Sequence, residues 1–179
     1  ARWLGEQAES DIEIFAFSML EERLEGVEAV TKDDQLMVFV HDACRAAVVE
    51  HLAECDTELG GLLIGRIYGN ADKNGSGVRI RAVEICKAVR SEDYETTHIS
   101  LAMDASVWTL ARSSLDEGEV IVGWYHSHPD LGAFFSGTDQ RTQRTVFPHA
   151  YSVALVSDPV REEEKWFETG DSIEIDPER

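Results

Sequence analysis

The stretch Val120–His128, VIVGWYHSH, limits the possible folds more than any other part of the chain. Its β-branched and aromatic residues predict a strand over Val120–His126. Side chains alternate from face to face along an extended chain, so His126 and His128 project to the same side. Pro129 disfavours the helical region for the residue before it, which holds His128 extended. Any fold must therefore present two imidazoles side by side where a strand ends.

A carboxylate comes back to them after a short loop. Gly132 and Gly137 let that loop fold back, and Asp139 falls where the next helix begins, with Gln140–Phe147 forming part of it. A carboxylate is electrostatically favoured at a helix start. Taken alone, Asp139 reads first as a cap, because caps are far commoner than ligands. The spacing changes that weighting. His126, His128, Ser136 and Asp139 fill the pattern H-x-H, seven residues, S, two residues, D. A chance match in a chain of this length is on the order of one in a few thousand. Two imidazoles and a carboxylate suit tetrahedral zinc, which in catalytic sites takes three protein ligands and leaves a fourth position to water.

The remaining segments predict a mixture of strands and helices without strict alternation. Leu36–His41 reads as a strand, and Asp42–Glu54 as a helix with Asp42 as N-cap. Glu58–Tyr68, ELGGLLIGRIY, reads as a buried strand in which Gly60 and Gly61 allow close backbone approach. Asn70–Gly77 is turn chemistry, Val78–Val89 a long strand, His98–Ala102 a short strand or edge, and Asp104–Leu115 a helix. Tyr151–Val156 is a further strand, and Lys165–Thr169 with Ser172–Ile175 a closing hairpin across Gly170-Asp171. Residues 1–34 fit neither period, leaving a helix and an extended arm both open, and Thr31–Asp34 reads as a turn.

At 179 residues, 43% of them hydrophobic, the chain suits one domain with a real core. No apolar run approaches a membrane span, and the opening ARWLGEQAES lacks the basic and apolar regions of a secretory signal. Cys44, Cys55 and Cys86 are an odd, widely spaced set and read as small buried hydrophobes in a reducing, cytoplasmic setting. With 16 basic against 35 acidic residues and a net charge of −19, the chain lacks the clustered cations that nucleic-acid binding needs.

The motif resembles that of the JAMM family, also called JAB or MPN-plus, of zinc metalloproteases. GWYHSHP and FFSGTD are similar to the version in proteasome-lid and signalosome deubiquitinases and their prokaryotic relatives, as are ELGGLLIG upstream and VALVSDP at 153–159. The resemblance covers roughly residues 35–176 and leaves 1–34 as an N-terminal extension of unknown role before a metalloprotease domain at 35–179. Asp130-Leu131 departs from the glycine and aromatic common in eukaryotic members.

The resemblance implies the JAB/MPN (cytidine-deaminase-like) fold: α+β, a single domain with a curved mixed β-sheet flanked by helices. It implies one Zn2+ per chain, held by His126, His128 and Asp139, with bound water as nucleophile. Glu58, directly before Leu-Gly-Gly, is the matching general base, chosen over the nearby Glu54 and Asp56. Ser136 is the matching oxyanion partner, against its plainer role as a loop serine bonding its own backbone. His41, His51, His98 and His149 have no partner at ligand spacing and read as packed or surface residues; Trp108, Trp124 and Tyr125 read as core. Phe134 and Phe135 either flank a substrate channel or divide between core and surface.

The implied activity is deubiquitinase-like: an isopeptidase or peptidase cutting after the C-terminal glycine of a ubiquitin-like protein, in deconjugation or precursor processing. Compact prokaryotic members accompany E1- and E2-like enzymes in conjugation or bacterial defence operons, so these are the implied partners. Two rival readings are a zinc amidohydrolase acting on a sulfur-carrier protein or small amide, and a non-catalytic MPN scaffold.

Overall fold

The computed structural model describes residues 12–23, 36–71, 77–92 and 105–175. Its elements in chain order are β1 (Ile14–Ala16), α1 (Phe17–Arg23), β2 (Met37–Val40), α2 (Asp42–Leu52), β3 (Gly60–Ala71), β4 (Val78–Arg90), α3 (Ala105–Ser113), β5 (Val120–Ser127), α4 (Gly137–Val146), β6 (Val153–Asp158), β7 (Glu163–Glu168) and β8 (Ile173–Ile175). The strands form one sheet in the order β2, β4, β3, β5, β6, β7, β8, with β1 beside the far half of β3. β5 and β6 run parallel, as do β2 and β4, whereas β3 is antiparallel to both of its long neighbours. This is the expected α+β class, with a curved mixed sheet flanked by helices. Among the described residues no helix is long and apolar enough to cross a membrane.

The unbroken apolar run in β3 has a simple cause. Leu63 and Ile67 join Val48 and Leu52 of α2 in one core, while Leu62 and Ile64 join Val107 and Ala111 of α3 in another. A strand covered on both faces needs apolar residues at every position. Register shifts at Leu63/Ile64, Ile64/Gly65 and Tyr68/Gly69 bend it, as bulges do. Close approach is real at Gly61, where a Cβ would collide with the Val89 carbonyl oxygen and stand 2.6 Å from the Tyr125 hydroxyl. It is tighter still at Gly123, where a Cβ would overlap the Val153 carbonyl oxygen.

Several boundaries differ from the expectations. Asp42 is the first residue of α2, not its N-cap; His41 holds that place without a side-chain cap bond. The Asp42 carboxylate still sits in the first turn, where the helix dipole favours it. Helix α4 starts at Gly137, and Gly137 has no positive φ, so only Gly132, at φ 92°, supplies glycine's freedom to the loop. The closing hairpin turns over 169–172, with Thr169 and Ser172 at positive φ, instead of pivoting on Gly170-Asp171 alone. The N-terminal segment is both strand and helix, with Phe17 and Leu20 buried against Tyr68 and Ala82. Of the three cysteines only Cys44 is buried. The readings at Thr31–Asp34 and His98–Ala102, and the middle of the 70–77 turn, lie outside the described residues.

Glu168 is a buried carboxyl that accepts one hydrogen bond, from the Leu36 backbone N–H at 3.1 Å. Burial pushes its pKa up. The folded state therefore binds this proton more tightly than the unfolded state. The stability that the protonated form carries is complete below the ordinary glutamate pKa and is lost as pH rises through the raised value. Glu168→Gln should melt higher than wild type at pH 7, by about 2–4 °C for each kcal/mol recovered. Thermal denaturation at pH 7 and near pH 4 checks this, because the difference should vanish at the acidic end.

Candidate functional site

Strand β5 sends Trp124 and Tyr125 to opposite cores, so His126 follows Trp124 onto its own face. The two rings are stacked, 4.5 Å between centroids and 7° between planes. His128 lies just past the strand, fixed by its backbone N–H donating to the Ser157 carbonyl at 2.9 Å. The imidazoles of His126 and His128 meet edge to face at 4.8 Å, both buried. The same-side projection expected of an H-x-H strand end is what the geometry gives.

Asp139 reaches this pair from the first turn of α4. It closes a capping box: the Ser136 backbone N–H donates to Asp139 Oδ2 at 2.7 Å, and the Asp139 N–H donates to Ser136 Oγ at 3.2 Å. The cap and ligand readings are therefore compatible. Asp139 Oδ1 lies 3.3 Å from His126 Nε2, and Oδ2 lies 3.6 Å from His128 Nε2. The Ser136 hydroxyl accepts with a lone pair in this box, so its own proton is free to be donated elsewhere. Glu58 arrives from the opposite side, half-buried, with Oε1 3.9 Å from His128 Nε2. All five expected residues converge on one spot.

The electrostatics favour ligand forms. Burial lowers the pKa of His128, and the neighbouring His126 lowers it further, so the neutral imidazole prevails. Burial would push the Asp139 carboxyl up, but the His126 ring and the Ser136 hydrogen bonds outweigh it and hold it below the usual range. A neutral His128 imidazole beside an ionised Asp139 carboxylate is in the form that metal coordination requires.

Two groups of side chains among the described residues bring three ligand atoms within 4.8 Å: His126, His128, Asp139, and His41, Glu84, Cys86. Hydrogen bonding separates them. Glu84 is already satisfied by the Tyr68 hydroxyl at 2.6 Å and His41 Nε2 at 2.8 Å. In the first group, by contrast, both ring nitrogens of His126 and Nδ1 of His128 are buried without a hydrogen-bond partner. Burying unpaired polar nitrogens is costly, and a metal ion is the partner that fits two imidazoles and a carboxylate.

The other sequence readings sort as follows. His51 is buried and meets the Tyr125 hydroxyl at 2.9 Å; His149 stacks on Tyr151; His98 lies outside the described residues. Phe135 packs on Phe167, while Phe134 lies against His128 and is 46% exposed.

Two residues that the motif spacing does not single out hold the site together. Ser127, fully buried between the histidines, accepts the Leu59 N–H on its Oγ and donates its own N–H to the Leu59 carbonyl. This pair of hydrogen bonds across 68 residues fixes the backbone next to Glu58. Asp158, also fully buried, accepts the backbone N–H groups of Asp130, Gly132, Val160 and Arg161, and so shapes the loop after His128. Its place in VSDP was visible, but its bonds to Asp130 and Gly132 were not, since those residues lie in a different loop. Asp130 itself adopts φ 59°, a conformation open to glycine without strain, which explains why the departure from the family glycine is tolerated by an aspartate.

Fold and site together define a domain whose mixed sheet carries at one end a His126, His128 and Asp139 cluster that could hold a metal ion. Residues 40–168 match the family described as prokaryotic homologs of the JAB domain, and the chain belongs to that family. It is similar to the 26S proteasome regulatory subunit RPN11 of Candida glabrata, 24% identical over 80% of this chain and 45% of that protein. COP9 signalosome complex subunit 5 of Eremothecium gossypii is 39% identical over 36% of this chain and 16% of that protein. An archaeal protein, NAD(+) hydrolase TcpA of Theionarchaea archaeon, is 32% identical over 58% of this chain and 28% of that protein. The chain thus spans less than half the length of these curated relatives. A solution structure of a Desulfitobacterium hafniense protein shares the fold, with a TM-score of 0.50 at 19% identity, covering 78% of this chain and 90% of that one.

Zinc added to metal-free protein should raise its melting temperature. At a free concentration a hundred times the dissociation constant, the gain is about 2.7 kcal/mol. His126→Ala should abolish that gain and His41→Ala should leave it intact, as calorimetric titration of the three proteins would show.

Proposed function

We propose that this chain is a zinc-dependent isopeptidase or peptidase that cuts after the C-terminal glycine of a ubiquitin-like protein. The observation that carries the reading is the convergence of Glu58 on buried His126, His128 and Asp139, whose imidazoles leave three buried nitrogens without hydrogen bonds. Two imidazoles and a carboxylate would hold the ion. When bound, zinc supplies Lewis acidity that makes water a competent nucleophile near neutral pH.

The chain's own residues supply the rest. Glu58 takes the proton from the attacking water. Its half-exposed position leaves it able to reach solvent and substrate alike. It then returns that proton to the departing nitrogen, which would otherwise have to leave as a strongly basic amide anion. The Ser136 hydroxyl donates to the former carbonyl oxygen as negative charge gathers there. Phe134, exposed beside His128, flanks the approach to the scissile bond.

The relative from Saccharomyces cerevisiae named ubiquitin carboxyl-terminal hydrolase RPN11, 23% identical over 80% of this chain, supports the choice of substrate class. A Gly-Gly tail has no side chains to obstruct a narrow site and can lie extended along a strand. The partners this reading calls for are a ubiquitin-like protein, its conjugates, and the cytoplasmic E1- and E2-like enzymes that would make them, as in a bacterial defence operon.

Purified zinc-loaded protein should cleave a ubiquitin-like protein fused through its terminal Gly-Gly, and a chelator should stop it. If every such fusion and conjugate stays intact while small amides are hydrolysed, the substrate assignment is wrong. Glu58→Gln should lower turnover by about 10²–10⁴-fold with zinc content unchanged; loss of zinc would make Glu58 a ligand instead. Ser136→Ala should cost about 1 kcal/mol of stability as a lost cap, and about 10²–10³-fold in kcat as a lost donor. Thermal melts and steady-state kinetics on one preparation separate the two effects.

A further inference from the structure

A metal-binding histidine usually donates its second ring N–H to a carboxylate, carbonyl or water, which sets the orientation of the ring. In His126, Nε2 faces Asp139 Oδ1 at 3.3 Å, while Nδ1 is buried with no hydrogen-bond partner. What touches the ring instead is Trp124, stacked flat against it. Trp124 is fully buried, and its Nε1–H donates to Gln143 Oε1 at 2.7 Å. Gln143, equally buried, spends its amide group on the Thr169 carbonyl at 3.1 Å. Phe147, at the end of the same helix, stacks parallel to the indole from 6.1 Å.

Gln143 stands one turn after Asp139 on α4, four positions along and so on the same helix face. One helix therefore carries both the carboxylate and the group that pins the plane beneath His126. We propose that Gln143 is a positioning residue of the metal centre, which fixes the His126 ring through Trp124 and keeps it in register with Asp139. This rests on the metal-binding reading of His126. Burial of an amide with both its oxygen and its nitrogen used, behind a ring that lacks hydrogen bonds of its own, is the observation behind it. A surface glutamine on a solvated helix would have neither bond.

The test measures zinc affinity by chelator competition in wild type, Gln143→Leu, Gln143→Glu and Trp124→Phe, without reference to activity. Loss of an outer partner of this kind weakens metal binding by about 10–100-fold, and Gln143→Leu should do so. Gln143→Glu keeps an acceptor for the indole and should recover most of the affinity. In a Trp124→Phe background, Gln143→Leu should have no further effect, since the interaction it breaks is already gone. Equal zinc affinity in Gln143→Leu and wild type, with only a lower melting temperature, would reduce Gln143 to a packing residue and overturn the proposal. Should Gln143→Leu not fold, Trp124→Phe against wild type makes the same comparison. If wild type takes up no zinc, the metal reading fails, and the clamp is judged on metal-free protein by NMR of the His126 ring. A changed ring environment in Gln143→Glu or Trp124→Phe supports the clamp, and an unchanged one in both removes it.

Discussion

The pairing of β3 with β5 is the constraint on which everything else in this molecule depends. It places Gly60 opposite His126, and just beyond the last ladder pair Leu59 and Ser127 exchange two hydrogen bonds. Without that register Glu58 would not face the imidazoles at all. Slipping one strand by a single residue would turn His126 and Trp124 into the wrong core. The apolar alternation of Leu62 with Leu63, and of Trp124 with Tyr125, prevents the slip, because each face has its own set of partners. The candidate site is thus held by the same burial that makes the sheet.

Within that frame the polar groups near the centre serve two purposes each. Asp139 ends the capping box and faces the histidines; Ser136 starts the helix and keeps a proton to give; Asp158 gathers two backbone N–H groups from the loop after His128 and two from its own turn. Charged acceptors with several N–H donors form the stronger class of hydrogen bond. A loop that carries function can therefore be as well fixed as a strand.

Most of the strands and the five candidate site residues were legible in the sequence, for separate reasons. Period-two and continuous apolar patterns survive in Leu36–His41, Glu58–Tyr68 and Val120–His126 because burial enforces them. The motif residues were legible through spacing. What escaped was whatever depends on a distant partner. Nothing local says that Ser127 bonds Leu59, or that Gln143 accepts the Trp124 indole N–H. The Asp42 error has a local cause: an aspartate before an apolar helical run reads as a cap, but here the chain enters the helix one residue earlier, at His41. The N-terminal segment hid its nature because β1 and α1 follow each other directly, and neither period lasts long enough to register.

The capping box has an evolutionary consequence. Because Asp139 secures the start of α4, a lineage cannot discard this carboxylate without fraying the helix it begins. Glu58 lies in a connecting segment, half in water, and anchors no element. A related chain that lost Glu58 would forfeit little structure and would keep His126, His128 and Asp139 where they stand. Silence in such a lineage would begin at Glu58.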